Sequence, residues 1–534
     1  MATTTRSRDM LWYGWGDPDR SRALPAGVVA LLEQALGAAP GERAPVALAD
    51  VRLPPVELPA AARAALADLV GAGHVREDHE TRVRHTRGRS TADLVRLRAG
   101  DATDAPDAVL LPADHDEVLA VLRLCAAHRV AVVPFGGGTS VVGGLTPRRA
   151  GFAGVVALDL RRLDGLVAVD AESLTATLRA GTLAPDAEEL LRARGLTLGH
   201  FPQSFRHATL GGFAATRSSG QSSAGYGRFD QLVLGLRAAT PEGELVLGRA
   251  PASAAGPDLR QLLLGCEGAF AVITELTLRV RPAPERSVHQ AWRFDSFADG
   301  VTALRRLAQH GPLPTLLRLS DEAETAVNGA LPGGTGSGST GGCLAVAGYD
   351  GTPDGVAEAA AAGADALTAL GGTRLSDALG EAWAAGRFEA PHLRDALLGA
   401  GAIAETLETA TSWSNLARLR AAVGAALTGA LAGSGTPPLV LCHVSHVYPA
   451  GASLYFTVVA AAAADPVAQW AAAKRAASAA IVDGGGTISH HHGVGVDHRP
   501  WLEAEIGPLG VGVLRAVKDR LDPVGVLNPG VLVP

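Results

Sequence analysis

Residues 130–144 read Val-Ala-Val-Val-Pro-Phe-Gly-Gly-Gly-Thr-Ser-Val-Val-Gly-Gly. The β-branched run predicts a short strand, and the glycines after it a sharp turn. Consecutive glycines let the backbone approach a ligand closely and turn several N–H groups into one concavity. No Lys or Arg occurs from Pro134 to Pro147, so a pyrophosphate held here would rest on main-chain amides. The stretch matches neither the G-x-x-x-x-G-K-[ST] loop nor the G-x-G-x-x-G fingerprint. Taken alone, it reads equally well as a tight structural turn.

Just upstream, Asp114 to Arg129 predicts a helix. Asp114 is its N-cap, with Glu117 completing an acidic capping box. Val118, Val121, Leu122 and Cys125 then share one face. Downstream, two segments carry small residues and hydroxyls: Pro202 to Ala208 with Leu210 to Gly220, and Gly265 to Glu275. An extended ligand could lie flat against the backbone there; tight strand packing is the alternative. Residues 331–342 match G-x-G-x-x-G at Gly336, Gly338 and Gly341. No strand precedes that match and no helix follows it, so it reads as a flexible loop.

Composition narrows the classes. The 534 residues are 47% hydrophobic and 19% charged, enough to bury large cores. A net charge of −7 argues against nucleic-acid binding, which needs a basic excess. Cys125, Cys266, Cys343 and Cys442 are widely spaced and read as buried small hydrophobes in a reducing compartment. The first residues lack the apolar core of a secretory signal, and no run reaches the ~20 apolar residues of a membrane span. The Arg-rich stretch from Arg82 to Arg98 reads as a solvated face. The expected domains are a mainly helical extension over 1–104, a ligand-binding domain over 105–282 and a second domain over 283–534, whose last segment returns to the first site.

Chemistry-bearing residues concentrate late in the chain. His490, His491 and His492 follow a triple-glycine turn and an extended Thr-Ile-Ser. In a strand, His490 and His492 would face one side and His491 the other. Imidazole can take and return a proton near neutrality. Metal binding by His490 and His492 is a weaker reading, since no acid or Cys lies near by spacing, and a purely structural triplet is another. Tyr455 sits in an apolar strand and needs a hydroxyl partner if buried. Arg318 and Arg394 sit among apolar residues and must find an anion or an acid; Asp321 and Asp395 are local candidates.

The glycine stretch, Thr216-Arg-Ser-Ser-Gly220 and Glu267-Gly-Ala-Phe-Ala-Val-Ile-Thr274 resemble the FAD-binding domain of the vanillyl-alcohol-oxidase (PCMH-type) flavoproteins. The resemblance implies an α+β fold, with two subdomains clasping an extended FAD and a C-terminal cap domain of the FAD-linked oxidase type. It assigns FAD contacts to Pro134, Phe135, Gly136, Gly137, Gly138, Thr139, Ser140 and Gly144. It adds Pro202, Gln203, Ser204, Phe205, Arg206, His207, Ala208, Gly211, Gly212, Thr216, Arg217, Ser218 and Ser219. The third segment contributes Glu267, Gly268, Ala269, Phe270, Ala271, Val272 and Ile273. Thr139 and Ser140 stand where covalent relatives often carry a His, so dissociable FAD is expected. No metal is expected.

Within this superfamily the chain resembles the alkyldihydroxyacetone-phosphate synthase family, from Trp12-x-Gly-Trp-Gly16 through Arg318, Arg394, Glu408-Thr409 and Tyr455 to His490-His-His-Gly493. That resemblance implies exchange of the acyl chain of acyl-dihydroxyacetone phosphate for a fatty alcohol, as in ether-lipid synthesis, with no net electron flow. The flavin would serve through its N5. Arg394, supported by Arg318, would recognise an anion; Tyr455 and the histidines would move protons. A lipid substrate, a homodimer, and a cytoplasmic protein with peripheral membrane contact are expected. Rival readings are an FAD-linked 2-hydroxy acid dehydrogenase or oxidase of the D-lactate or glycolate type, and a non-catalytic flavin- or lipid-binding protein.

Overall fold

The computed structural model describes residues 9–16, 24, 43–330 and 341–534. The predicted loop at 331–342 falls almost wholly outside them. Among the described residues three main sheets form.

In the first sheet, Gly154–Asp159 runs parallel between Ala108–Leu110 and Val130–Phe135. Val75–Arg76, from the N-terminal stretch, pairs antiparallel with Ala108–Leu110. The crossover helix His115–His128 forms as its sequence predicts. Asp114 accepts the Glu117 N–H at 2.9 Å, and Glu117 reaches back one residue further than a simple capping box, to Ala113 N–H at 2.7 Å. Arg129 ends the helix in the left-handed region at φ 53°. Val118, Val121, Leu122 and Cys125 are fully buried against the sheet, each apolar side chain contributing roughly 1.5–3 kcal/mol.

The second sheet is antiparallel, with Val272–Arg279 between Thr175–Arg179 and Val233–Thr240. The Leu-Thr-Leu-Arg run closes that strand, and Arg281–Pro282 then pairs with Leu196–Thr197 before the chain leaves. Far along the chain, residues 526–528 return to the edge of Val130–Phe135. Val132 donates to Val526 O and Asn528 donates to Val132 O, both at 2.8 Å.

The third sheet has seven antiparallel strands. Period-two alternation divides its faces. Leu454, Phe456 and Val458 are buried in a core with Leu419, Val423 and Ala473 of the covering helices Leu416–Gly433 and Pro466–Asp483. Tyr455 therefore points to the other face. The register places Tyr455 directly between Glu408 and His443 on the neighbouring strands, so three polar side chains form one row across the sheet.

The Arg82 to Arg98 stretch is a solvated face only in part, with Arg96 exposed and Arg84 and Arg98 partly so. Arg82, Arg87 and Arg89 are buried. Arg82 donates to Pro106 O and Pro54 O, both at 2.7 Å, and Arg87 pairs with Asp104. These guanidiniums bond backbone carbonyls and acids distant in sequence, which charge patterning along the chain does not reveal. All four cysteines are buried and free, as their spacing predicts.

Candidate active site

The three predicted cofactor segments converge. A Cβ on Gly137 would overlap the carbonyl of His207, and one on Gly136 would overlap the Thr209 hydroxyl. Gly138 adopts φ 71°, and a Cβ on Gly268 would lie 2.7 Å from the Pro134 ring. Asn528 ties the first segment to the third, donating to Gly144 O at 3.0 Å and Glu267 O at 2.7 Å. Gly136, Gly137, Thr139, Ser140, Gln203, Ser204, Phe205, Arg206, Thr216 and Arg217 keep part of their surface open. The buried Gln203 Nε2 and Asn528 Oδ1 lack partners among the described residues. Buried polar atoms ordinarily find a partner. A glycine-walled cradle with unmet polar atoms fits a long polar cofactor such as FAD.

Several side chains in these segments have other tasks. Both oxygens of Glu267 face the loop after the histidines, accepting Val494 N–H at 2.9 Å and Gly495 N–H at 2.8 Å. Burial pushes its carboxyl up to about 7 against those bonds. Arg217 holds Leu264 O and Gln261 Oε1 at 2.8 Å, and Arg206 pairs with Glu389 at 3.3 Å. Ser218 bonds His200, and Ser219 bonds Ser223, each at 3.1 Å. Phe270, Ala271 and Ile273 pack in the second sheet's core and Val272 in the first sheet's, leaving their main chain for any cofactor contact.

The histidines do not alternate on a strand, because residues 487–498 form none. Instead the N–H groups of His490, His491 and His492 converge on the Glu408 carboxylate at 2.7, 3.0 and 2.9 Å. The Ser489 hydroxyl adds a fourth bond at 3.0 Å. Successive N–H groups around one anion form a nest. Burial would raise the Glu408 carboxyl, but the imidazoles of His491, His492 and His490 and these bonds hold it well below the carboxylate range.

The nest turns the imidazoles toward one another and toward Tyr455. The Tyr455 ring lies 6.1 Å from His491, 5.7 Å from His492 and 4.8 Å from His443, centre to centre. His490 Nδ1 and His491 Nδ1 are 2.9 Å apart, so one must carry the proton the other accepts. The Tyr448 hydroxyl sits 2.6 Å from His490 Nε2. Tyr448, His490 and His491 thus form a continuous hydrogen-bonded line. Burial lowers the proton affinity of all three histidines, to about 3 for His492, and pushes the Tyr455 phenol up to about 12. Neutral imidazoles in a dry site are bases in waiting.

Both predicted anion-binding arginines are held by acids. Arg318 bonds Glu324, whose other oxygen takes His443 Nδ1 at 2.8 Å; Asp321 pairs with Arg420 instead. Arg394 bonds Asp395 at 3.0 Å and Arg89 O at 2.6 Å, and Asp395 also receives the Trp15 N–H. They join elements rather than present open cations.

Sequence reasoning missed Tyr448, His443, His446, Glu324 and Asn528, and used Glu408 only as a mark of resemblance. Each acts through a partner far away in the chain, so spacing carried no signal. Among the described residues His446, His490 and His491 bring three ring nitrogens within 4.8 Å of one another. His446 already spends Nε2 on Gly220 O at 3.1 Å and Nδ1 on the Ser445 hydroxyl at 2.9 Å.

This fold and site define a two-domain flavoenzyme. Residues 106–248 match the FAD binding domain family, and residues 283–532 the FAD linked oxidases, C-terminal domain family. The solved p-cresol methylhydroxylase shares the fold, with TM-score 0.68 over 89% of this chain and 98% of that one, at 16% identity. The chain is 31% identical to alkyldihydroxyacetonephosphate synthase of Trypanosoma brucei brucei, over 88% of this chain and 80% of that protein. It is 30% identical to the Dictyostelium discoideum protein of the same name, over 86% and 78%. A solved alkyldihydroxyacetonephosphate synthase superposes with TM-score 0.84 at 27% identity, covering 98% of both chains. The chain belongs to the alkyldihydroxyacetonephosphate synthase family.

Proposed function

We propose that this chain exchanges the fatty acyl ester of acyl-dihydroxyacetone phosphate for a fatty alcohol. The ester C–O bond breaks to release a fatty acid, and the alcohol oxygen forms the ether. The observation that carries the reading is the convergence of Tyr455 and the Glu408-held histidines beside a glycine cradle suited to FAD. Bound FAD supplies the electron-deficient centre that lets the substrate carbon change partners without net oxidation. His491, neutral and backed by His490 and Tyr448, takes the proton from the substrate carbon and returns it. The Tyr455 hydroxyl, un-ionised at neutral pH, donates to the substrate oxygen that gains charge. Thr139 and Ser140 offer no imidazole to tether the cofactor, so FAD is held by contacts alone. No helix among the described residues is long and apolar enough to cross a membrane. A homodimer, a cytoplasmic location and peripheral contact with a lipid surface are part of this reading.

The test is incubation of holoenzyme with labelled hexadecanol and acyl-dihydroxyacetone phosphate under anaerobic conditions. Label entering ether product with an unbleached flavin band supports the synthase. No exchange, with bleaching by D-lactate or glycolate, replaces it by the hydroxy-acid dehydrogenase.

A further inference from the structure

We propose that Arg387 anchors the anionic head of the substrate, a phosphate monoester. This rests on the reading above and names the group that recognises the charged end of that substrate.

Arg387 caps the C-terminal end of the cap-domain helix Asp377–Gly386. Its guanidinium makes no hydrogen bond or ion pair with any described residue, and its Nε is buried without a partner. Its neighbours are aromatic faces, with Phe388 centred 5.0 Å and Phe201 5.4 Å from it. Phe205 stacks on Phe388 at 5.7 Å, extending the apolar platform. Burial lowers the proton affinity of Arg387, and Asp350, the acid whose field reaches it, is engaged with the Tyr226 hydroxyl at 3.0 Å. A half-buried guanidinium without an anion is costly.

The contrast with the other cations of the site is direct. Arg318 has Glu324, Arg394 has Asp395, Arg228 has Asp230 and Lys474 has Asp497. Helix-terminal charge alone does not explain Arg387, since its guanidinium bonds none of the helix carbonyls.

Its place suits the task. Gln221 Nε2 donates to Arg387 O at 3.3 Å, and the preceding residue, Gly220, accepts His446 Nε2. One turn earlier Trp383 lies under Arg318, which shares the Glu324 carboxylate with the His443 stacked on Tyr455. Arg387 thus stands where the cap helix meets the 201–221 segment of the cofactor domain, whose Gly220 bonds His446. A planar fork on an aromatic platform, in a region of low dielectric, is well matched to a phosphate.

The test is calorimetric titration of FAD-loaded protein with dihydroxyacetone phosphate and with dihydroxyacetone, for the native chain, Arg387→Gln and Arg387→Lys. Flavin content and melting temperature confirm that each variant folds. Expected is a loss of phosphate-ester affinity of about ten- to hundredfold in Arg387→Gln, a smaller loss in Arg387→Lys, and unchanged dihydroxyacetone binding. In exchange assays the loss falls on KM. Native chain that exchanges acyl for alkyl while Arg387→Gln binds the phosphate ester equally well overturns the Arg387 assignment alone. Native chain that neither binds the phosphate ester nor exchanges overturns the functional reading with it.

Discussion

The Glu408 carboxylate accepts the His490 N–H at 2.7 Å across 82 residues of sequence. One buried charge thereby sets the path of three consecutive histidines. Glu267, from the cofactor domain, grips the same loop at Val494 and Gly495. The histidine loop is suspended between two carboxyl groups, one from each domain.

Removing the first grip leaves three N–H groups unmet in a dry site. Glu408→Ala is expected to cost roughly 3–5 kcal/mol of stability. Glu408→Gln, nearly isosteric, is expected to retain FAD while losing most turnover. Denaturant melts and flavin-normalised rates check this; a Gln variant with native kcat contradicts the positioning role.

Tyr455→Phe keeps the ring against His491 and removes only the hydroxyl. Turnover is expected to drop about 10²–10⁴-fold, as for loss of a proton-transfer group, with His491→Ala at least as severe. Both variants should keep their flavin spectrum. Native rates in both would end the assignment of proton transfer to this pair.

Tyr448 meets the histidine pair at His490 Nε2. Tyr448→Phe is expected to lower kcat modestly and to displace the pH–rate profile, because the His490–His491 pair loses the group that fixes its tautomer. A profile superimposable on that of the native enzyme would show that the line ends at His490.

Gly137 has no room for a side chain beside His207 O. Gly137→Ala must push the two segments apart, so purified protein is expected to be colourless or to release FAD on gel filtration. Gly151, with φ 81° but open space around it, is the control: Gly151→Ala is expected to keep the yellow colour.

Stability is expected to fall in acid. Burial holds His492 at about 3 and His498 at about 4, below the ordinary 6.5, so the unfolded chain binds more protons between those values. Their contribution is present above pH ~6.5 and is lost as pH falls toward the folded values. Glu408, held low by its bonds, adds a further loss below its ordinary 4.5. Melting temperature measured from pH 7.5 to 4 should decline, with a shallower slope in His498→Gln.

Much of the cofactor side was legible because its signals are local. A strand followed by glycines, and a capped amphipathic helix before it, are written in adjacent residues and fold as written. The apolar run around Tyr455 likewise marks its strand, Gly451–Ala461. The strand geometry considered for the histidines does not form, because a local pattern cannot show that Glu408 takes their N–H groups. The arginine roles were legible only as a choice between acid and ligand. For Arg394 the adjacent Asp395 was the partner, whereas Arg318 passed over Asp321 for Glu324.

The sequence by itself determined the flavoenzyme class, the glycine cradle and the identity of the chemically able residues, since these depend on residue type and short-range order. Only the tertiary structure decided which of them meet. It placed Glu408 beneath the histidines, lined Tyr448 up with His490, tied Arg318 and Arg394 to acids and left Arg387 without one among the described residues. Hydrogen bonds and ion pairs act over about 3 Å in space and are indifferent to separation along the chain, so strand register and domain packing chose the partners.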